Sequence, residues 1–599
     1  MLKKILLGVN VAALLVVLFL TAWDQSSRYS VSLYVKPAAA QEIRNTRREV
    51  KESDVVPTAE GEEGTPLPIP DLKINGVAPF YDRPNATFYF SIADDKNSWP
   101  DLTFTLDGEN PEGRLCFLED FTRESRSDVL EASSRIPFMI YDGETYRNFY
   151  LTFSTLPLMQ VRLHDLPEGT QIHESLKDAE EDVVRLPEDV ENNYEERLSE
   201  DAPIRREDSY ATVTLLDPRG AEEERKYGEV FVSEARLHVR GRSSVNYPKN
   251  SYRMELLIPD EQDNSLLIEN KVPLLGMRKD GDWILNALYA EPTKIREKLA
   301  AEVWLNMNKD VQTPGEAAGY RVDYVEVFID DTYWGLYGLT ERIDAKMLGL
   351  TGADETKDSD RLYWSIADEN QWWKEYETPE TPYYSGGYEL RYPDVISEPY
   401  EEWWRPFRDL VRASREDAVA DREAEFGAIA DINSAVDYYL FYQAVTGVDN
   451  VIQNTYFIYR GDTGKFTFMP WDLDQTFANV WQGDMPRLTA EDYGVIDQFR
   501  SWWVTKRMIR ENGSDIQTLL RQRLKVLRRD ALNEKNLVRR IDAIEKELDA
   551  SGVLTREGSR WPLGGHTTNT SALRQYVVGR LMRLDSHVRS LPQNGGGDD

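Results

Sequence analysis

The chain has 599 residues, 41% hydrophobic and 29% charged, a balance that builds several globular domains rather than a disordered polymer. Its formal net charge of −34 excludes non-specific nucleic-acid binding, which needs a basic surface, but leaves room for a local basic pocket around a nucleotide. Cys116 is the only cysteine, so an internal disulfide and a cysteine-rich metal site are excluded, and Cys116 reads as a small core residue.

At the amino terminus Lys3 and Lys4 precede the apolar run Ile5–Trp23, long enough to cross a bilayer, which takes about 20 residues. A cleavable signal peptide has a shorter apolar stretch followed by small residues. Here Asp24, Gln25 and Arg28 follow, and Ala38–Ala40 is remote. Residues 1–23 are therefore expected to be a signal anchor, with the lysines inside and the remainder extracytoplasmic, at the cell surface or in a periplasm. Were the segment cleaved, the protein would be secreted. Residues 24–70, rich in Glu, Arg, Thr and Pro, read as a flexible stalk.

Residues 71–165 carry short apolar or alternating runs (Thr87–Ile92, Leu102–Leu106, Ile136–Tyr141, Tyr146–Phe153) between Gly, Pro, Asn and Asp, which predict a β-rich, sandwich-like module. Residues 166–208 form an acidic, solvated linker or insertion. The core, 209–495, opens with strand-like runs at Tyr210–Leu216, Ala235–Gly241, Ser251–Ile258 and Trp283–Tyr289. Next comes a helix with Ile295, Leu299 and Val303 on one face, then a hairpin of Tyr324–Ile329 and Trp334–Leu339. An aromatic insertion follows, with Trp372-Trp373, Tyr383-Tyr384 and Trp403-Trp404. It fits either a platform for a peptide or glycan or ordinary packing onto the core. Asp431 caps a helix with Ile432, Val436, Leu440 and Ala444 on its apolar face, and Asp449 lies just beyond it. Helical patterns such as Ile516–Leu527 and Leu537–Leu548 dominate 496–599, which ends in a Gly-rich tail.

Two acidic sites bracket a predicted hairpin. Asp449 and Asn454 precede Thr455–Arg460; a Gly461–Gly464 turn leads into Lys465–Pro470, and Asp472 and Asp474 follow. A turn centred near Asp462–Thr463 sets Asn454 opposite Trp471, so Asp449, Asn454 and Asp472 converge at the open end. An Asp, four residues, an Asn, a hairpin and another Asp is the order in which protein kinases present a catalytic base and two metal ligands. Asp449 is the expected base. Asn454, Asp472 and Asp474 are the expected ligands, hard oxygen donors suited to Mg²⁺ or Mn²⁺. The five histidines form no HExxH or Cys/His cluster and no GxSxG elbow occurs, so zinc and serine hydrolases are poor fits. His238 reads as a packed strand residue.

Phe466–Thr476 (FTFMPWDLDQT), preceded by Asn454–Tyr459 (NTYFIY), resembles the hallmark of the CotH family, atypical secreted or surface protein kinases related to spore coat protein H. His238–Ser244 with Tyr247–Arg253 resembles the family's RGxxS and PKKSY segments, Trp283–Leu285 with Lys294–Arg296 its W-x-L and Arg segments, and Gly335–Asp344 its GLYxLxExID segment. The likeness runs from about Tyr210 to Asn479. It implies an α+β, atypical protein-kinase-like fold with an ATP site, a divalent metal and a Ser/Thr protein substrate, with Asp449 as the catalytic position and Asp472 as the metal-binding aspartate. It also implies Arg240, Lys249 or Arg253 as the phosphate-neutralising group, the usual second lysine of PKKSY being Asn250 here. Arg296 is expected at the nucleotide site or against a buried carboxylate, and Glu341 near the adenine or as a structural brace. The rival readings are a non-catalytic kinase-like scaffold that binds a polymer or envelope partner, and a metal-dependent phosphoesterase.

Overall fold

The computed structural model describes residues 69–92, 145–173, 202–219, 230–241, 243–309, 319–351, 359–366, 381–414, 422–479, 515–564 and 569–591, with shorter stretches at 56–57, 104–106, 114–117 and 135–141 and the single residues 379 and 504. The proposed anchor, nearly all of the stalk, most of the acidic insertion, Trp372, Trp373 and the Gly-rich tail lie outside these residues.

Alternation of apolar and polar side chains over Ser209–Leu216 and Val230–Arg240 buries one face of each strand, whereas Val322–Ile329 is buried on both faces, Val325 and Val327 in one core and Tyr324 in another, and Ser251–Pro259 is buried along Met254–Leu257. These runs join a nine-stranded sheet in the order Gln171–Ile172, Leu266–Glu269, Ser251–Pro259, Val230–Arg240, Ser209–Leu216, Leu158–Leu163, Val322–Ile329, Thr332–Glu341, Asp282–Asn286. Ser251–Pro259 also pairs with Asp282–Asn286, Tyr252 opposite Leu285, so all but the first two strands close into a barrel without free edges. Met159, Val213, Leu237, Val239, Met254, Trp283, Val327 and Leu339 fill it.

The closing strand Leu158–Leu163 was expected in the 71–165 module. It pairs instead with Ser209–Leu216 on one side and Val322–Ile329 on the other, so the seam between the two β-rich regions falls before Leu158. The amino-terminal region itself forms a six-stranded sheet faced by a two-stranded ribbon, Leu72–Ile74 with Phe104–Leu106, over a core of Phe88, Phe138, Phe149, Leu151 and Phe153. Phe80, Tyr89, Phe328 and Tyr333 pack it against the barrel.

The helix Arg296–Asn308 lies in the chain between the barrel strands Asp282–Asn286 and Val322–Ile329, and its Leu299, Val303 and Trp304 belong to the core of the second half. A second half follows: a five-stranded sheet in the order Tyr384–Ser385, Tyr388–Tyr392, Arg361–Ser365, Thr455–Arg460, Lys465–Pro470, packed with the helices Glu401–Ser414 and Ile432–Val445. Asp431 caps the latter as expected, accepting from the Ser434 N–H at 2.8 Å. The predicted carboxy-terminal helices are present as Asp515–Leu527 and Glu534–Ser551, joined by Val553–Arg560 and Ser571–Ser590. Ile516, Leu520, Ile541 and Leu581 belong to the same core as the five-stranded sheet, so this region is one body with the second half. Tyr383, Tyr384, Trp403 and Trp404 are all buried. Packing, not a surface platform, accounts for these four aromatics.

Candidate active site

The hairpin register is the one the sequence implies. Thr455 faces Pro470, Arg460 faces Lys465, and the Trp471 N–H donates to the Asn454 carbonyl at 2.9 Å. Gly464 turns the chain with a φ of 67°, its N–H donating to the Arg460 carbonyl at 2.8 Å. The mouth of the hairpin is conformationally unusual: Asn454 and Asp472 sit at φ of 58° and 56°. Asn and Asp tolerate this left-handed region better than other side-chain-bearing residues, and there it breaks strand alternation on both sides of the ladder's open end, re-aiming the two side chains.

Asp449 opens a single helical turn, Asp449–Ile452, after the capped helix. Its carboxylate accepts from Asn454 Nδ2 at 2.6 Å and from Gln453 Nε2 at 2.9 Å. Asn454 thus gives its amide hydrogen to Asp449 and keeps its carbonyl oxygen for another partner. Among the described residues the carboxylates of Asp472 and Asp474 have neither a hydrogen-bond donor nor an ion-pair partner. Burial raises the proton affinity of Asp449 to about 6, with the charge of Asp472 adding to it. Burial likewise raises Asp472, and burial with repulsion from Asp472, Glu297 and Asp449 raises Asp474 well above the ordinary carboxylate range.

Glu297 completes the acidic cluster and was missed in the sequence. It lies in the first turn of Arg296–Asn308, where its carboxylate accepts from the Leu473 N–H at 2.6 Å and the Tyr320 hydroxyl at 2.8 Å. Burial and the charge of Asp472 push it up to about 8. The sequence held a signal: Glu297, Ala301 and Trp304 follow helical spacing, which puts an acid on the buried stripe.

The cationic side comes from the barrel. Arg240, at the end of Val230–Arg240, has its guanidinium 5.3 Å from the Trp471 ring centroid and no ion-pair partner among the described residues. Burial lowers its proton affinity against the pull of Asp472 and Tyr456, and Arg391 and Arg342 lower it further. Arg253 pairs with Asp282 at 3.0 Å, and Arg342 shares that carboxylate. Arg391 pairs with Glu389 at 2.9 Å and lies over Trp364. Arg342 and Arg391 were not singled out by sequence; they are far apart along the chain, and only the fold brings both to Tyr456.

Three expected nucleotide residues have other partners. Lys249 is buried, bound to the Leu336 carbonyl and, at 2.6 Å, to Glu557 of the Val553–Arg560 helix. Arg296 pairs with the buried carboxylate of Glu291 and reaches the Phe477 carbonyl at 3.4 Å. Glu341 accepts from the backbone N–H groups of Arg278 at 2.8 Å and Arg321 at 2.9 Å, the contacts of a structural brace. Asn250, where the lysine is lost, donates to the Val245 and Tyr247 carbonyls and braces the turn. His238 is half-buried rather than packed in the core, its Nδ1 3.2 Å from Asp208.

The donor chemistry fits a divalent cation: two recessed aspartates without hydrogen-bond donors among the described residues, an amide oxygen, and proton affinities raised by burial and, for Asp474, by neighbouring carboxylates. No group of three or more His, Cys, Asp or Glu in a ligating arrangement occurs among the described residues. Mg²⁺ takes one or two protein carboxylates and fills its remaining positions with water and substrate phosphates.

The model of the CotH kinase protein family matches residues 237–583, more than half of the chain. The chain belongs to the CotH kinase family. The matched stretch spans the barrel strands that carry Arg240 and Arg253, the hairpin and the carboxy-terminal helices, and a kinase-like fold accords with this mixed α and β architecture. No curated protein matches the chain.

Proposed function

We propose that this CotH family member is an active protein kinase, transferring the γ-phosphoryl group of ATP to a Ser or Thr hydroxyl on an envelope or surface protein. The observation that carries the reading is the meeting, at one hairpin mouth, of Asp449, Asn454 and Asp472 with Arg240, the Asp472 carboxylate having no hydrogen-bond donor and Arg240 no ion-pair partner among the described residues. Asp449 orients the incoming hydroxyl and takes its proton as the oxygen bonds to the γ-phosphorus and the bond to the bridging oxygen breaks, releasing ADP. Asn454, Asp472 and Asp474 would hold Mg²⁺ or Mn²⁺, which supplies charge neutralisation for the phosphates. Arg240 neutralises charge on the phosphate chain, and Arg253, Arg342 and Arg391 keep that side of the cleft positive.

The test is metal-dependent incorporation of labelled phosphate by the full-length protein. Equal labelling by wild type and Asp472→Ala rejects the site.

The occupied state of Lys249 favours one rival, a kinase-like scaffold without nucleotide binding. ATP with Mg²⁺ stabilises a folded state that binds it, so an unchanged melting temperature over a wide ATP range would select the scaffold. For location, the proposal is an inner-facing amino terminus with the kinase region extracytoplasmic, anchored by residues 5–23. No described helix is long and apolar enough to cross a membrane. Protection of the kinase region from protease added to spheroplasts, in which any periplasm is open, would overturn that placement.

A further inference from the structure

We propose that Asn450 is the positioning residue that sets the catalytic Asp449 half of the centre against the metal-binding Asp472 half; the inference rests on the kinase reading above. Asn450 is 0% exposed. Its Nδ2 donates to the Trp471 carbonyl at 2.7 Å and to the Asn454 carbonyl at 3.3 Å. Asn454 is itself an expected ligand, and the Trp471 carbonyl belongs to the peptide plane that carries the Asp472 N–H. Both acceptors therefore adjoin the two left-handed residues of the hairpin mouth. Holding these planes fixes the backbone rotations that aim the Asn454 and Asp472 side chains.

Asn450 is itself held from the other direction. Its carbonyl accepts from the Tyr438 hydroxyl at 3.0 Å and the Thr455 hydroxyl at 3.1 Å, tying it to the Ile432–Val445 helix and to the start of the hairpin. Asp449 is its chain neighbour. One side chain thus links the turn bearing the base to both strands bearing the ligands.

Its remaining atom argues for position over stability. Asn450 Oδ1 is buried with no hydrogen-bond partner among the described residues, and Gly447 leaves it space where a Cβ would stand 2.9 Å away. A buried orphan oxygen is unfavourable, and an apolar side chain of similar size would avoid it. An amide is what supplies two donors from one nitrogen to two carbonyls. Partners that orient metal ligands typically change metal affinity by 10- to 100-fold when replaced.

The test measures Mn²⁺ affinity of the full chain by electron paramagnetic resonance without ATP, for wild type, Asn450→Ala, Asn450→Asp and Asp472→Ala. Asn450→Asp keeps the volume and loses the donors, which serves if truncation unfolds the chain. The expected result is a Mn²⁺ dissociation constant raised about tenfold or more in a variant that melts near wild type. With it, the Mn²⁺ needed for half-maximal activity should rise while KM for ATP at saturating Mn²⁺ stays unchanged. Wild-type Mn²⁺ affinity in a folded variant overturns the positioning role and leaves the kinase reading intact. Failure of wild type itself to bind Mn²⁺ both without and with ATP overturns that reading and this role together.

Discussion

Asp449 keeps its proton up to a pH of about 6 because burial and the charge of Asp472 outweigh the hydrogen bonds from Gln453 and Asn454. As the base it must be ionised, so the acid limb of the pH–rate profile should fall away at or below about that pH. Asp449→Asn should lower kcat by roughly 10²- to 10⁴-fold while ATP with Mg²⁺ still raises the melting temperature; unchanged kcat would remove Asp449 from the chemistry. The cluster also predicts a metal effect with a definite sign. Unfolded carboxylates titrate near about 4, whereas Asp449 and Glu297 in the folded, metal-free chain titrate at about 6 and about 8. Their contribution to stability is whole below the unfolded value and is lost as pH rises through the folded ones. A divalent cation replaces the missing protons, so the rise in melting temperature on adding Mg²⁺ should be larger near pH 8 than near pH 5.5. Equal shifts at both would show that Asp449 and Glu297 are not coupled to the metal site. The positions of Asp449, Asn454 and Asp472 were legible because a hairpin is local and its register follows from its turn. Glu297 was not, because its partner Leu473 is far away in sequence and no turn geometry connects them.

At the scale of elements, strands and helices followed from alternation and from caps, with Ile136–Tyr141 matching residue for residue. The contacts between elements did not. Lys249 and Glu557 form a buried pair, 0% and 2% exposed, from opposite ends of the kinase region. The seat for Glu557 is a glycine: Gly335, at φ of 115°, lies where a Cβ would stand 2.3 Å from Glu557 Oε2, and the Leu336 N–H donates to that oxygen at 2.8 Å. The first glycine of the GLYxLxE segment thus has a physical reason that the sequence alone could not supply. Burial lowers the proton affinity of Lys249 to about 8 even with Glu557 beside it, so the lone amine is far costlier. Glu557→Leu should destabilise by about 3–5 kcal/mol, and the double variant Lys249→Met with Glu557→Leu by clearly less. Denaturant melts of the three proteins measure this; a double variant worse than Glu557→Leu would refute a pair bound mainly by charge.

The whole molecule is joined at one carboxylate. Buried Glu326 of the barrel accepts from Ser154 of the amino-terminal sheet at 2.5 Å and from Arg556 of the carboxy-terminal helix at 2.6 and 2.9 Å. The kinase region is therefore not separable where composition changes. A fragment beginning at Tyr210 lacks Leu158–Leu163 and leaves two barrel strands, Ser209–Leu216 and Val322–Ile329, without the ladder between them. It should be recovered as aggregate, whereas one beginning at Ile69 should be soluble with a cooperative melt; a soluble, cooperatively melting Tyr210 fragment would contradict this closure. Domain boundaries were the least legible feature, because a strand's pattern states which face is buried but not which sheet it joins.

The Gly335 seat has a consequence for the order of events as the chain is made. Synthesis proceeds from the amino terminus, so the barrel, the hairpin and Asp449 are made while Lys249 still lacks the carboxylate that neutralises it. That carboxylate arrives with the Val553–Arg560 helix, near the very end of the polypeptide. A chain terminated before Glu557 thus has Asp449, Asn454, Asp472 and Arg240 but an unneutralised Lys249, and the fold is finished only once the last helices are made.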